Sequence, residues 1–568
     1  MMQNFLNHTS GLGMALSAFL FFTLGMFMCG AAPCHPAEEL YESRLDQGLS
    51  STEPYSYLLV TLARQNRDQA KELLEKARRY SPDLPAVYFE LAREGFRPSP
   101  NGILLGFDYF REGIKAYGRN FWWAFSLAGL TSMSLFLSFL LSLLVVLIIR
   151  IPMDAGLIIH EGSEEKKRLL LLLIPLCLSF LGPVALAAGA FFLIGLYFKK
   201  ENKAVVYASL LFFAASPFFV KELSPFLSLP SSLKAIVAVN EGKDNRYALW
   251  ALKGRNDFPS AFSYALALKR EGHYQEAIEA YKGLAGRLSR PDPRVLINLG
   301  NAYYGIKDME AAKEAYRKSI GTNPLPSAYY NLSQLYREML DFTKGDEYFL
   351  GAAKLSPEAV TRFTSIASAN PNRFVVDETL PFSFVWKYAT GSGGISLSGR
   401  DVPLLFLAVA MIPGFYFLNR KVKYRALRCK RCGAVFCSRC SRTVVWGEMC
   451  SRCFVSLVKI EEMDSRERVA RLLSIYQSQS KRRNTTKLIS FVIPGAGHIY
   501  SGKILAGFLL LWAFLFCLVL LVMNALFPAP GIFPFTQGWI ALLMALFMVL
   551  SYVGAVLHIR RRIHKGWL

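Results

Sequence analysis

Charge is scarce in this chain and unevenly placed. Asp, Glu, Lys and Arg make up 19% of its 568 residues, below the ~25% of ordinary soluble domains. Runs of 17 or more residues carry no charge at all, and that length spans a bilayer core. A plain soluble enzyme is excluded on that ground, and 53% hydrophobic residues exclude disorder. Catalytic punctuation is missing too. No nucleophile elbow, phosphate-binding loop, paired-carboxylate cleft or metalloprotease motif occurs, so no catalytic residue is nominated and a non-enzyme is expected. Cysteine is thin outside one place: six of the ten fall between Cys429 and Cys453.

What is present is apolar and blocked out. The expected class is an all-α multi-pass membrane protein with an α-solenoid region and a small metal-binding module. Residues 1–31 read as an export signal or a permanent anchor, with no Lys or Arg before the apolar run and Cys29-Gly30-Ala31-Ala32-Pro33 after it. Spans are expected at Trp122–Ile149, Ala204–Val220, Val402–Leu418, Ile504–Met523 and Gly538–Leu557. The run Leu169–Phe198 is broken by Gly182-Pro183 and has basic residues at both ends, Lys166-Lys167-Arg168 and Lys199-Lys200-Lys203. One long helix or a short-legged hairpin fits it, and the hairpin puts both basic ends on the cytoplasmic side.

The net charge of +23 is confined. Residues 32–120 hold 12 Lys/Arg against 13 Asp/Glu, and 221–400 hold 23 against 18. Residues 419–487 hold 18 against 5, a surplus of 13. Basic residues flanking apolar spans mark the cytoplasmic side more often than they mark nucleic acid. Nucleic acid is therefore an unlikely partner. Segments 32–120 and 221–400 are expected outside and 419–487 inside, as in a bacterial inner membrane protein. Lys481-Arg482-Arg483 and the tail 558–568, with Arg560-Arg561-Arg562, would meet anionic lipid headgroups.

Three units recur in 221–400, starting near 258, 293 and 326. The best has Leu296, Leu299, Gly300, Tyr303, Ala312, Tyr316 and Pro324. These spacings resemble the tetratricopeptide repeat. A weaker unit and a half lies at 53–92, with Tyr57, Ala70, Leu74, Ala77, Pro82, Tyr88, Leu91 and Ala92. Isolated repeats cannot bury their faces, so this piece is expected to lean on the other exported region or on the membrane. The resemblance implies a groove for a protein or peptide, lined by Asn298, Asn301, Tyr304, Asn331, Gln334 and Arg337. Asn301 with Asn331 looks like the paired asparagines that some members use on peptide main chain. Ile297 stands where a clamp lysine would, which puts a C-terminal carboxylate ligand in doubt.

The cysteines read Cys429-x2-Cys432-x4-Cys437-x2-Cys440-x9-Cys450-x2-Cys453. Two knuckles 17 residues apart supply a tetrahedral thiolate set. Structural zinc is expected, with iron–sulfur and disulfides as rival chemistries. Arg431 to Ser441 resembles the middle of FYVE-type treble-clef fingers. That resemblance implies one zinc on Cys429, Cys432, Cys450 and Cys453, with Cys437 and Cys440 spare or in an incomplete second site. This basic module would fill 419–458, and an amphipathic helix 459–487. Pro494-Gly495-Ala496-Gly497-His498-Ile499-Tyr500-Ser501-Gly502-Lys503 with Gly507 resembles the TM2-like membrane hairpin, here 488–557. The functional expectation is a membrane scaffold or adaptor whose exported repeats bind partners. The alternative is a transporter or channel component built on 121–220, which lacks charged residues inside its expected spans.

Overall fold

The computed structural model describes residues 37–161, 183–227, 230–365, 370–391, 401–421, 426–437, 449–457, 464–526 and 537–564. It is helical nearly throughout. In chain order come α1 (Ala37–Asp46), α2 (Glu53–Gln65), α3 (Ala70–Tyr80), α4 (Pro85–Gly95), α5 (Pro100–Tyr117), α6 (Phe121–Glu161), α7 (Pro183–Gly195), α8 (Lys203–Leu227), α9 (Leu233–Asn240) and α10 (Arg246–Ala251). The helix pairs α11/α12 (Phe258–Arg270, Tyr274–Arg287), α13/α14 (Pro293–Gly305, Met309–Thr322) and α15/α16 (Pro326–Glu338, Phe342–Leu355) follow. Then come α17 (Pro357–Thr364), α18 (Pro371–Phe374), α19 (Phe382–Ala389), α20 (Asp401–Lys421), strands β1 (Leu427–Arg428) and β2 (Val435–Phe436), α21 (Ser451–Leu457), α22 (Ser465–Val492), α23 (Ala496–Tyr500), α24 (Ile504–Leu526) and α25 (Gln537–His564). The chain divides into two compact units, Met1–Val87 with Pro230–Val385, and Tyr88–Leu229 with Trp386–Leu568. The N-terminal run expected as signal or anchor lies outside the described residues.

The first unit is built on the three pairs, which begin at the positions the repeat spacing marks. Asp257 and Asp292 accept backbone N–H bonds at the starts of α11 and α13, and Asp308 and Asp341 do so for α14 and α16. Such caps satisfy otherwise orphaned donors and fix where each helix begins. In the middle pair a small residue of the first helix lies under a ring of the second. At Gly300 an added Cβ would come within 2.5 Å of the Tyr316 ring. Each turn within a pair needs a left-handed residue: Gly272 at φ +85°, Lys307 and Leu340 at +64°. The N-terminal helices α1–α3 join this unit. Asn245 Nδ2 donates to the Gln47 carbonyl at 2.9 Å, and Lys243 pairs with Glu53 at 2.8 Å. Glu53, at the start of the weak unit, thus meets a segment just ahead of the first repeat pair, nearly two hundred residues away in the chain. Within the segment read as 32–120, residues up to Val87 belong to this unit and those from Tyr88 to the other.

Among the described residues the second unit has four helices long and apolar enough to cross a membrane: Phe121–His160, Lys200–Lys221, Ile504–Leu526 and Met544–His564. The expected span Val402–Leu418 lies within α20. Helix α7 starts at Pro183, where the break in Leu169–Phe198 was expected, and residues 162–182 lie outside the described ones. Leu143, Phe191, Phe213, Phe415 and Leu511 make the buried core of α6, α7, α8, α20 and α24. The amphipathic helix expected over 459–487 is α22, which runs on to Val492. A tight turn then forms at Gly495, φ +83°, where an added Cβ would meet the Gly507 carbonyl oxygen at 2.4 Å. Glycine is required on both sides of that approach, since a Cβ on Gly507 would meet the Gly495 oxygen at 2.6 Å.

Candidate functional site

Two arrangements carry chemistry, one in each unit. In the first unit the face made by α9, α11, α13 and α15 holds an extended strand of the same chain, Val375–Leu380. Asn331 embraces Val376: its Nδ2 donates to the Val376 carbonyl at 2.9 Å, and its Oδ1 accepts from the Val376 N–H at 2.7 Å. Asn298 does the same to Glu378, at 2.8 and 2.9 Å. Asn240 Oδ1 takes the Leu380 N–H at 2.7 Å. Successive helices thus read every second residue of a chain with a two-residue period. Asn298 and Asn331 stand at the same place in their repeats, which is why their bonds match.

Asn301 ties the ladder together. Its Nδ2 donates to the Val376 carbonyl and to Asp377 Oδ1, both at 2.9 Å. Its Oδ1 accepts from the Tyr316 hydroxyl at 2.8 Å and from Asn331 at 2.9 Å. Burial holds the Tyr316 hydroxyl well above its ordinary titration range, so it stays a donor. All three asparagines are buried, and pairing like this is what makes burial of an amide tolerable.

Asp377 is the charged centre. It receives Lys269 Nζ at 2.8 Å and Arg270 Nε at 3.0 Å, with all three side chains at 7% exposure or less. Burial pushes its carboxyl up, but the two cations outweigh that and hold it below the usual carboxylate range. Lys269 also donates to Asn372 Oδ1 at 3.0 Å, and Ser327 donates to the Glu378 carboxylate. Upstream, the Phe374 ring stacks on Tyr304 at 5.2 Å, and Val375 is buried against Ile297 and Leu335. Ile297, standing where the clamp lysine would, is therefore part of an apolar pocket.

Of the six residues nominated for a groove, Asn298, Asn301, Tyr304 and Asn331 share this face. Gln334 is half-buried on α15, and Arg337 pairs instead with Asp346 at 2.8 Å and lies over the Phe349 ring. Sequence reasoning did not nominate Asn240, Lys269, Arg270 or Asp377. The dibasic Lys269-Arg270 closes a repeat's first helix, where in sequence it looks like any solvated helix end.

In the second unit Cys429, Cys432, Cys450 and Cys453 converge, with all four sulfurs within 4.8 Å of one another. The Cys432 and Cys450 sulfurs are 3.7 Å apart. A tetrahedral zinc with ~2.3 Å bonds needs sulfur edges of about 3.8 Å, so this donor set fits zinc. The first knuckle is shaped by the β1–β2 hairpin: Leu427 faces Phe436, the Cys429 N–H donates to the Ala434 carbonyl at 2.8 Å, and Gly433 takes φ +79°. The second knuckle sits at the start of α21. Burial raises the Cys429 thiol, but backbone N–H groups of Cys432, Cys450 and Arg431 aimed at it bring it down to about 7. Burial and neighbouring sulfurs push Cys453 up. Four crowded thiols cannot all ionise without a cation among them. Cys437, at the end of β2, is not one of the four, and Cys440 lies outside the described residues. Phe436 and Ile475 of α22 pack under the cluster, and Arg428 donates to the Met153 carbonyl of α6.

Residues 293–324 and 326–358 match the family model of the tetratricopeptide repeat. No curated protein matches the chain as a relative. The pairs α13/α14 and α15/α16 are therefore tetratricopeptide repeats, and α11/α12 has the same geometry without a match of its own.

Proposed function

We propose that this chain is a non-enzymatic membrane scaffold whose tetratricopeptide repeats hold partner proteins or peptides on one side of the bilayer. Its thiolate module would be a structural zinc finger on the other, cytoplasmic side. The observation that carries the reading is the repeat face itself, which is built to hold an extended chain by its backbone. Repeats of this kind are protein-binding platforms, and backbone recognition with a few side-chain pockets is how an extended segment is read.

Membrane insertion is supported by what the long helices leave uncovered. Leu144, Ile148, Leu211, Leu509, Leu546 and Leu550 are each half or nearly half exposed or more. In water such surfaces would drive aggregation, whereas lipid solvates them. The basic stretches at 481–483 and 560–562 would lie against anionic headgroups, and the surplus of positive charge in 419–487 favours a cytoplasmic side for that segment. The four cysteines offer no vacancy that a catalytic metal would need, so the zinc holds the module together and fixes how α22 leaves it. An inner membrane of a bacterial envelope suits this combination, with assembly of an envelope machine or passage of a binding signal as the role.

The transporter alternative has one observation on its side. Arg150 and Asp154 form a buried two-bond pair at 2.7 and 2.8 Å inside α6. Buried ion pairs in membrane helices often mark ion paths. This pair is closed on itself four residues apart, and it lies beside the zinc module rather than in mid-span, so a docking role fits better.

Photo-crosslinking from residues on the exposed faces of α12, α14 and α16, in native membranes, tests the scaffold. Discrete protein adducts that disappear when the repeats are deleted are expected. Absence of adducts, together with solute flux into vesicles containing the purified chain, would favour the transporter.

A further inference from the structure

We propose that the strand Val375–Leu380 is a displaceable occupant of the repeat groove, standing in for a partner segment of the same chemistry. That partner is an extended acidic peptide with an aliphatic residue followed, two positions on, by an aspartate. The inference rests on the scaffold reading above and names its ligand.

Three features separate a held ligand from a fixed part of the core. The first is how the strand is gripped. Asn240, Asn298, Asn301 and Asn331 bond to its backbone at Val376, Glu378 and Leu380. Those bonds do not depend on which residues the strand carries, so any extended chain can make them. Sequence enters at only a few places: Val375 in its apolar pocket, Asp377 between Lys269 and Arg270, and Glu378 at Ser327.

The second feature is how short the apolar anchorage is: Val375 and Leu380 are fully buried, and Phe374 and Val376 are half-buried against the repeat helices. A peptide of the same length can bring the same four side chains. The third is the nature of the buried charges. Lys269, Arg270 and Asp377 give up hydration to meet one another, and they regain it when the strand leaves. Release therefore costs less than the number of bonds suggests, and a second chain offering the same aspartate restores every bond. The groove cannot hold both chains at once. Partner binding and release of the strand become a single exchange, and affinity for the partner is reduced by the fraction of time the groove is closed.

The test uses the full chain in detergent micelles. The probe is a fluorescein-labelled synthetic peptide with the sequence of residues 371–381, read by anisotropy, beside a second peptide with asparagine at the place of Asp377. Asp377→Ala weakens the resident strand while leaving the groove intact. It should bind the first peptide at least about tenfold more tightly than the unaltered chain does, and the asparagine peptide about tenfold more weakly than the first. Lys269→Met should lower binding of the first peptide in the Asp377→Ala background. No binding by an Asp377→Ala chain that keeps its helix content and melting profile would overturn the proposal.

Hydrogen exchange on the unaltered chain decides the matter if that variant does not fold. The Val376, Glu378 and Leu380 amides should exchange about a hundredfold faster than core amides of Pro293–Gly305, through local opening. Equal protection would mean a fixed strand and would overturn it. Partner adducts on other faces of the repeats with no peptide binding would sink this inference and leave the scaffold standing. Peptide binding that is lost with Lys269→Met, even without adducts from the outer helix faces, would support both the groove and the scaffold reading.

Discussion

At the scale of single residues the account turns on which side chains tolerate change. Cys429, Cys432, Cys450 and Cys453 close one tetrahedron, while Cys437 stands apart from it. The purified chain should therefore carry one zinc per molecule at that centre by elemental analysis. Cys429→Ser or Cys450→Ser should lose it, and Cys437→Ser should keep it. Iron with visible absorption, or zinc loss on Cys437→Ser, would mean a different centre. Gly300 sets a second limit. A methyl there overlaps the Tyr316 ring, so Gly300→Ala should lower apparent stability in chemical denaturation by about 1–3 kcal/mol, the usual range for overpacking. These residues were legible for opposite reasons. The cysteine spacing is a direct image of a metal's geometry, and Gly300 belongs to a repeating pattern. Lys269 and Asp377 were not legible, because a basic pair and an acidic pair a hundred residues apart look like solvated surface until the fold joins them.

At the scale of elements, the turn within each helix pair gives a test that separates conformation from contact. Leu340 holds φ +64° with 76% of its surface exposed, and a left-handed conformation costs a non-glycine residue about 1–2 kcal/mol. Leu340→Gly should leave stability unchanged or raise it by up to about 1 kcal/mol, after the added freedom of the unfolded chain is counted. Gly272→Leu should lower it by a similar amount. Equal losses from both would show that side-chain contact, not backbone conformation, governs the turn.

The strand 375–380 is the other element with a measurable response. Asp377 is held below its ordinary value, so its contribution is complete above about pH 4, where a free aspartate titrates. That contribution is lost as pH falls through the depressed value. Burial raises Glu378, with the opposite sign: its contribution is present at low pH and lost as pH rises through that raised value. Protection factors of the Val376 and Glu378 amides should thus hold or rise from pH 7 to about pH 4 and fall only below it. A fall that begins well above pH 4 would contradict a depressed Asp377 as the strand's charged anchor. The helix pairs were readable from prolines and a repeating 33 to 35 residue spacing. This strand was not, since an extended segment held by its backbone has no periodicity of its own, and its asparagine partners read as a vacant groove.

At the scale of the whole molecule, the sequence separates two polar regions, 32–120 and 221–400, that the fold partly merges. Bonds from Asn245 to Gln47 and from Arg44 to Lys243 join the first helices to the segment that leads into the repeats. Such side-chain-to-backbone contacts across two hundred residues leave no mark on local composition. The apolar spans, by contrast, are visible in composition alone, and four reappear as helices of sufficient length. What composition cannot give is the side of the membrane on which each region lies. The central claim is that the repeats and the zinc module face opposite compartments. The most direct measurement is a pair of topology reporters, fused after Gly394 and after Tyr424 in the intact chain. The account predicts an exported signal at 394 and a cytoplasmic one at 424. The inverse pattern, or the same side for both, would contradict it.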